Sequence, residues 1–266
     1  MKNIFILLST LVLFSCQKVI DIHPPTGEQK VIIQAYLYTD SIAYAIITKS
    51  TDYLTNTPPP SISNAVVTLS DGNGTTEILT WNSVKQRFES IAMKGVIDET
   101  YTITVDLEGK SYSATSSLLY LDPVDSITVV KEEETGFSQE GYYMKLYGTI
   151  PTNIPKYYLF KGYSGDSLLN GPNDINYADN QLISGKLDGI DMGYKCDSLE
   201  FAKLEIYSLT LPSEKFYAAA SLQLNNDGGF FSTPPANVPS MFNNGAVGLF
   251  QCSDIQVLTT YVNFQP

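Results

Sequence analysis

The 266-residue chain has a formal net charge of −12, with 16 Lys and Arg residues against 28 Asp and Glu residues. This acidity argues against nucleic acids and anionic lipid headgroups as partners, because both are bound through clustered Lys and Arg side chains. The length suffices for one large β domain or two smaller ones, and we predict two.

The first fifteen residues are predicted to be a cleaved signal peptide. Lys2 is their only charge, an apolar core runs from Ile4 to Phe14, and the small Ser15 precedes the expected cleavage point. A transmembrane helix needs roughly 20 apolar residues, and this core is shorter and contains polar side chains. We therefore expect residues 1–15 to be removed during export.

Cys16 directly follows this segment and is predicted to carry a lipid. The tetrapeptide Leu13-Phe14-Ser15-Cys16 resembles the lipobox of bacterial lipoproteins, in which the cysteine thiol receives a diacylglyceryl group. An anchor with two or more acyl chains holds a protein on a membrane stably, whereas a single chain is marginal. The alternatives are a plain secretory signal cut nearby and a buried N-terminal strand with an incidental cysteine.

Residues 16–30 are predicted to be a tether between the anchor and the folded body. The segment is polar, lacks hydrophobic periodicity and contains the run His23-Pro24-Pro25-Thr26-Gly27. Pro-rich linkers favour extended conformations of about 3.1 Å per residue. The folded body is therefore expected to stand off the outer membrane, facing either the cell surface or the periplasm.

Residues 31–121 are predicted to form an Ig-like β-sandwich. Val31 to Tyr38 and Ile42 to Thr48 are rich in β-branched and aromatic residues and lie at hairpin distance. The clearest hairpin spans Glu99 to Leu118, where apolar and polar residues alternate on both sides of a Glu108-Gly109 turn. Its predicted inward positions are Tyr101, Ile103, Val105, Leu107, Tyr112 and Ala114. About seven such strands in this length are typical of two packed sheets.

Residues 122–266 are predicted to form a second β-rich domain, so the whole chain is expected to be all-β. The strands are expected over Ser126 to Lys131, Gly141 to Ile150, Tyr157 to Tyr163, Phe201 to Leu209 and Ile255 to Phe264. One helix is expected near residues 213–224. Its N-cap would be Ser213, and its apolar stripe would consist of Phe216, Ala220 and Leu224.

Two features of this second domain suggest a ligand site. Aromatic residues concentrate on the strands before residue 164, namely Tyr142, Tyr143, Tyr147, Tyr157, Tyr158, Phe160 and Tyr163. Tyrosine rings can stack on sugars or grip peptides, although tyrosine also suits pleated strands that bind nothing. The stretch Ser164 to Asp197 is rich in Gly, Asn, Asp and Ser and is predicted to be a long loop, which is uncommon unless functional or mobile.

With Cys16 lipidated, Cys196 and Cys252 remain as a pair. Exported proteins meet an oxidising compartment, so this even pair permits one disulfide. Free cysteines are also common core residues, which leaves two separately buried thiols as the alternative.

Most enzymatic chemistries find no support in the sequence. The chain has a single histidine, His23, in the tether, so neither a Ser-His-Asp triad nor a Cys-His dyad can form in the folded body. His-ligated zinc and Gly-rich phosphate loops are missing as well, and we predict no catalytic, cofactor or metal site. The alternative is a surface glycan hydrolase that uses loop carboxylates. The candidates are Asp166, Asp174, Asp179, Asp188 and Asp191.

Four Asp-Ser-apolar tripeptides resemble the D-[ST]-apolar acceptor of Bacteroidetes O-glycosylation. The serines concerned are Ser41, Ser126, Ser167 and Ser198. Asp-Ser before an apolar residue is also an ordinary turn that leads into a strand. Both interpretations stay open for these sites.

Several segments together resemble the DUF4249 family of Bacteroidetes lipoproteins. They are the lipobox cysteine, VIIQAYLY, NAVVTLSDGNG, ETYTITVDLEGKSYSATSS, DPVDSI and the C-terminal stretch FFSTPPANVP with GAVGLF, in this order along nearly the whole mature chain. The resemblance implies no established enzymatic activity and an association with TonB-dependent outer-membrane receptors. It also implies a first domain similar to transthyretin-like and Ig-like modules. We therefore expect a noncatalytic lipoprotein that binds a ligand or partner as an accessory of such a receptor.

Overall fold

The computed structural model describes residues 28–51, 58–134, 139–171, 174–197, 201–226 and 237–262. Within these ranges the chain forms seventeen strands and one helix, so the fold is all-β, as predicted. The strands are β1 (Val31–Tyr38), β2 (Ile42–Lys49), β3 (Val66–Ser70), β4 (Thr76–Ile78), β5 (Thr80–Asn82), β6 (Arg87–Lys94), β7 (Thr100–Leu107), β8 (Lys110–Ser117), β9 (Ser126–Glu132), β10 (Gly141–Ile150), β11 (Tyr157–Ser164), β12 (Ser167–Leu168), β13 (Asn176–Asp179), β14 (Gly185–Cys196), β15 (Phe201–Leu209), β16 (Val247–Ser253) and β17 (Ile255–Tyr261). The helix is α1 (Leu211–Leu224).

The predicted signal peptide, the predicted lipid site Cys16 and the predicted tether as far as residue 27 lie outside the described residues. The last tether residues, 28–30, are exposed. In the part of the chain that the structure describes, no helix combines the length and apolar character needed to cross a membrane.

Two sheets enclose the first hydrophobic core. One has the strand order β16-β1-β2-β6-β5 and the other β4-β3-β7-β8. Alternate residues of β1 point inward, so Ile33, Ala35 and Leu37 are fully buried while their neighbours are partly or fully exposed. The predicted hairpin of residues 99–118 is confirmed, because β7 pairs with β8 and all six predicted inward side chains are buried.

The edge strand of the five-stranded sheet comes from the C-terminal part of the chain. β16 runs parallel to β1 and pairs Gly248 with Ile33 and Phe250 with Ala35. Phe250 and Cys252 are buried in the first core. The predicted assignment of residues 122–266 to a separate domain therefore does not hold for β16. A parallel pairing between strands so far apart in sequence leaves no hairpin signal from which it could be predicted.

The second core lies between two further sheets. One has the order β14-β10-β9 and the other β12-β11-β15-β17, with β13 paired to β11. This core begins at Leu121 and includes Met144, Phe160 and Leu204. We refer to the two sandwich-like halves as the first and second units, with β16 belonging to the first.

The predicted loop from Ser164 to Asp197 is corrected by the structure, since it contains β12, β13 and the twelve-residue β14. β14 pairs antiparallel with β10, and two register shifts interrupt the pairing. Gly189 and Gly193 lie at these shifts and have φ values of 74° and 71°. Such bulges disrupt the two-residue periodicity by which a strand is recognised in sequence.

Of the two possibilities that the sequence leaves open, a disulfide and two separately buried thiols, the structure has the second. Cys196 and Cys252 are both free and buried. Cys196 lies in the second core, whereas Cys252 reaches the first core on β16. Burial raises the pKa of the Cys196 thiol to about 11 and raises the pKa of the Cys252 thiol as well.

The helix begins earlier than predicted, and its N-cap is Thr210, whose hydroxyl accepts from the backbone N–H of Ser213 at 3.4 Å. Ser213, the predicted cap, is fully buried inside the first turn. The predicted apolar stripe is also wrong, because Leu224 is exposed and Tyr217 packs against the protein instead. The Thr210 hydroxyl thus satisfies one free N–H group of the first turn, and Thr210 directly precedes the Leu211-Pro212 pair.

Candidate ligand-binding cleft

A row of tyrosines lies where the two units and the helix meet. We call this region the tyrosine cleft, and it consists of Tyr36, Tyr38, Tyr44, Lys161, Glu205, Tyr207 and Tyr217. β1 and β2 supply the first three residues, β11 and β15 the next three, and α1 supplies Tyr217. Residues from both units and from the helix are therefore needed to form the cleft.

Strand alternation places the tyrosines of the first unit on its outer face. Tyr36 and Tyr38 alternate with the buried Ala35 and Leu37, and Tyr44 is the cross-strand partner of Tyr36. The ring centroids of Tyr36 and Tyr44 are 5.1 Å apart, and those of Tyr36 and Tyr38 are 6.3 Å apart. Aromatic pairs at these separations attract one another beyond their buried area. The outer face of β1 and β2 is thus an aromatic platform.

The second unit contacts this platform through Tyr207. Its ring centroid lies 5.3 Å from that of Tyr38, and Tyr207 is almost fully buried. Tyr217 of the helix completes the contact, since its hydroxyl donates to Gln251 Oε1 of β16 at 2.5 Å. Burial raises the pKa of Tyr36 to about 12 and also raises the pKa values of Tyr207 and Tyr217. These phenols therefore stay protonated at neutral pH and can donate hydrogen bonds.

Glu205 is held by neighbours on every side. Lys203 Nζ donates to its Oε1 at 3.0 Å, while the hydroxyls of Tyr207 and Tyr163 donate to its Oε2 at 2.7 and 3.0 Å. Burial would raise the pKa of Glu205, but these hydrogen bonds outweigh it, and the pKa is lowered. Glu205 is therefore a charged carboxylate whose oxygens already have partners.

Lys161 lies directly opposite Glu205 on the neighbouring strand, where the two residues are register partners. Its ammonium lies 4.9 Å from the centroid of the Tyr207 ring. Burial lowers the pKa of Lys161 more than the nearby charge of Glu205 raises it. A cation over an aromatic face gains some stabilisation, but less than a paired anion would give.

A pocket of about 480 Å³ opens beside this lysine. Tyr36 and Tyr217 form one side, and β11 forms another through Leu159, Phe160 and Lys161. The remaining wall comes from the stretch predicted to be a loop, through Leu168, Asn170, Gly171, Asp174, Ile175 and Asn176. The expectation that residues 164–197 contribute to a ligand site thus corresponds to a real cavity, although part of that wall is strand.

Arg87, the single arginine of the chain, lies at the first-unit end of the cleft. Its guanidinium carbon is 4.0 Å from the centroid of the Tyr44 ring, and its Nε donates to Glu89 Oε1 at 2.7 Å. Arginine stacks on aromatic faces while keeping its hydrogen bonds to a carboxylate. Arg87 therefore fixes the Tyr44 ring at the edge of the platform.

Four of the five predicted carboxylates hold turns or pair with lysines. Asp174 accepts from the Gly171 N–H at 3.0 Å, and Asp179 accepts from the N–H groups of two turn residues. Asp188 pairs with Lys186, Asp191 pairs with Lys145, and Asp166 is exposed. Among the described residues, no group of three or more His, Cys, Asp or Glu side chains is arranged to hold a metal ion.

The predicted glycosylation sites are exposed where the structure describes them. Ser41 lies in the turn between β1 and β2, Ser126 begins β9, and Ser167 begins β12. Ser198 lies outside the described residues. Each of the three described serines is accessible to an enzyme, and their modification stays a prediction.

Of the aromatic residues singled out in sequence analysis, Phe160 lines the pocket and Tyr163 donates to Glu205, while Tyr158 is buried in the second core. The cleft tyrosines of β1 and β2 were assigned only to strands. Their signal was present, since two aromatic side chains alternate with small or apolar buried residues in VIIQAYLY. An outward row of aromatics on a strand indicates a face that is covered by something else.

A family profile matches most of this chain. The sequence profile described as "Domain of unknown function (DUF4249)" matches residues 17–258, most of the chain and nearly all of both units. No curated protein matches the sequence.

Proposed function

The chain belongs to the DUF4249 family, a domain of unknown function, and on that premise we propose that it is a noncatalytic binding lipoprotein of the outer membrane. It holds a ligand in the tyrosine cleft and works beside a TonB-dependent receptor in nutrient uptake. Its lipid at Cys16 keeps it on the membrane, and the segment after Cys16 lets the folded units reach the receptor.

The pocket between the two units is the observation that carries this proposal. Its volume of about 480 Å³ is within the range of about 300–1,000 Å³ for small-molecule sites. Such sites often lie where domains meet, with aromatic walls and a few polar groups that orient the ligand. The pocket has this composition, with the phenol rings of Tyr36 and Tyr217, the side-chain amides of Asn170 and Asn176, one ammonium and one carboxylate.

The noncatalytic part of the proposal is supported by the roles of the polar side chains. The only histidine in the sequence is His23, in the tether. The loop aspartates that could form a hydrolytic pair hold turns or pair with lysines, as Asp174, Asp179 and Asp191 do. A glycosidase needs one carboxyl group free to give a proton and another free to attack or to activate water.

Purification of the native lipoprotein tests the proposal. The protein with a C-terminal affinity tag is extracted from outer membranes in mild detergent, and its companions are identified by mass spectrometry. We expect a TonB-dependent receptor among them. Recovery of the lipoprotein without any receptor would contradict the receptor association.

A substitution of Cys16 tests the proposed lipid anchor separately. The Cys16→Ala variant cannot be lipidated, and we expect it in the soluble fraction after export. Since a di- or triacylated anchor accounts for stable attachment, a Cys16→Ala protein that stays on the membrane would show that another part of the chain binds there.

A further inference from the structure

The pocket beside Lys161 has a charge pattern that indicates what it binds. We propose that it takes a sugar bearing one carboxylate, such as a uronate unit of an acidic glycan, with the carboxylate against the Lys161 ammonium. This inference rests on the proposed binding function and specifies its ligand class. It requires no chemical change in the ligand.

Lys161 has no anionic partner of its own. Among the described lysines, the other partly buried ones are Lys49, Lys145, Lys156 and Lys203, and each forms an ion pair. Lys161 is partly buried but forms neither an ion pair nor a conventional hydrogen bond with any residue that the structure describes. Its register partner Glu205 is already held by Lys203, Tyr163 and Tyr207. A partly desolvated ammonium without a partner is costly, and an incoming anion offsets that cost.

The charged groups of the described lining favour a ligand with no more than one negative charge, placed at Lys161. The lining has one cation, Lys161, and one anion, Asp174, whose Oδ2 accepts from the Gly171 N–H. A dianionic phosphate would meet a single lysine and also the carboxylate of Asp174 in the same lining. Strong phosphate sites instead gather several donors or an arginine fork, which the described lining of this pocket does not provide. A monoanionic carboxylate matches the lining better.

The rest of the lining suits a sugar ring. Tyr36 and Tyr217 bring aromatic rings to the lining, and Asn176 brings an amide, whereas the amide of Asn170 already accepts from the Gly162 N–H and donates to the Asp174 carbonyl. Aromatic rings contact the C–H face of a sugar, and amides bind hydroxyl groups. An extended peptide would gain little here, because both edges of β11 are already taken, by β15 on one side and by β12 and β13 on the other. No strand edge of β11 is left to pair with a peptide backbone.

Calorimetric titration of the detergent-solubilised full-length protein tests this inference. The probes are uronate disaccharides, their neutral hexose counterparts of the same linkage, a hexose phosphate, and an acetylated trialanine with a free carboxylate. We expect a uronate disaccharide to bind at least about tenfold more tightly than its neutral counterpart, which is what one charge-assisted hydrogen bond gives. Equal binding of the two would overturn the carboxylate assignment, as would tighter binding of the phosphate or the peptide.

Substitutions of Lys161 test whether this residue causes the preference for the uronate disaccharide. Lys161→Met should remove the preference for the uronate, whereas Lys161→Arg keeps a positive charge and should retain most of it. Lys215→Met removes an exposed lysine of the helix outside the pocket and should change nothing. Replacing a partly desolvated lysine by methionine leaves no unpaired charge, so the variant is expected to fold, which thermal unfolding verifies. A preference that survives Lys161→Met would overturn the proposal.

The failure of this inference differs from the failure of the proposed function. If neutral sugars bind as well as uronates and Tyr217→Ala abolishes both, the cleft is a binding site and only the carboxylate assignment is wrong. If no probe binds but the receptor still co-purifies, the ligand class is overturned while the receptor association stands.

Discussion

Glu89 is the carboxylate that holds the edge of the first unit next to the cleft. It accepts hydrogen bonds from Asn82 at 2.8 Å, Arg87 at 2.7 Å and Lys85 at 3.0 Å. These bonds, chiefly that from Asn82, lower the pKa of Glu89 from its ordinary 4.5 to about 2. A lowered folded-state pKa stabilises the fold fully above pH 4.5, and the stabilisation is lost as the pH falls towards 2.

We therefore expect Glu89→Gln to lower the free energy of unfolding by about 1–2 kcal/mol at pH 7, the usual value of a charged hydrogen bond. The difference from the unmodified protein should shrink as the pH falls below 4.5. Urea unfolding at a series of pH values measures it, with the exposed Glu134→Gln as the control. A difference that is constant with pH would mean that the charge of Glu89 is not its cause.

The two buried thiols make a second prediction at this scale. Since Cys196 and Cys252 are free and burial raises the pKa of each thiol, few thiolates are available to react at neutral pH. An alkylating reagent should label both cysteines quickly in denaturant without a reductant and slowly in the native protein. Labelling that requires prior reduction would instead indicate a disulfide.

Gly248 is required by the pairing of β16 with β1. A Cβ atom at this position would lie 1.8 Å from the backbone oxygen of Ile33, its partner in the parallel register. The neighbouring strand cannot move without disturbing the first core. The close approach of the two backbones thus depends on the missing side chain.

We expect Gly248→Ala to cost about 3 kcal/mol in the free energy of unfolding, because backbone overlap cannot relax as a flexible side chain would. The control is Gly72→Ala, whose Cβ would meet Glu99 Oε2 at an ordinary 3.4 Å. That change should alter stability by less than about 1 kcal/mol. Equal effects of the two substitutions in chemical unfolding would contradict the steric account.

Local patterns predict the hairpins of this chain well and its distant pairings poorly. The strand from Val31 to Tyr38 has the predicted bounds, and the side chains predicted to point inward from β7 and β8 are buried. These predictions succeed because apolar and polar residues alternate along the sequence of each strand. β14 is hidden by bulges at Gly189 and Gly193, and the parallel partner of β16 lies about two hundred residues away. The candidate cleft is built from such distant pairings, so sequence analysis found one wall of its pocket and missed the tyrosines opposite.

At the scale of the whole molecule, Asp254 links the two units where β16 ends and β17 begins. Its Oδ1 accepts from the Thr39 hydroxyl at 2.8 Å in the first unit, and its Oδ2 accepts from the Leu121 N–H at 3.0 Å where the second core starts. A parallel bridge between Leu119 and Ser253 lies beside it. Two of the three chain crossings between the units, at Leu119–Leu121 and at Ser253–Asp254, are thus bound to each other.

We expect Asp254→Ala to lower the free energy of unfolding by about 2–3 kcal/mol, because it leaves partly buried donors of both units without an acceptor. Asp254→Asn keeps one carbonyl oxygen and should lose less. The exposed Asp166→Ala is the matched control and should change little. If Asp254→Ala is as stable as the control in urea unfolding, the crossing is held by its backbone bonds alone.

The return of β16 to β1 also decides when this protein can fold. The ribosome synthesises residues 31–118 long before residues 247–253. The first core therefore cannot be completed until β16 has been synthesised. Until then its β1 edge is unpaired, and Phe250 and Cys252 are missing from the interior. Unpaired strand edges invite aggregation, which makes early arrest of synthesis hazardous. We expect this polypeptide to reach its native state only after synthesis is finished, and chains truncated before β16 to depend on chaperones or be degraded.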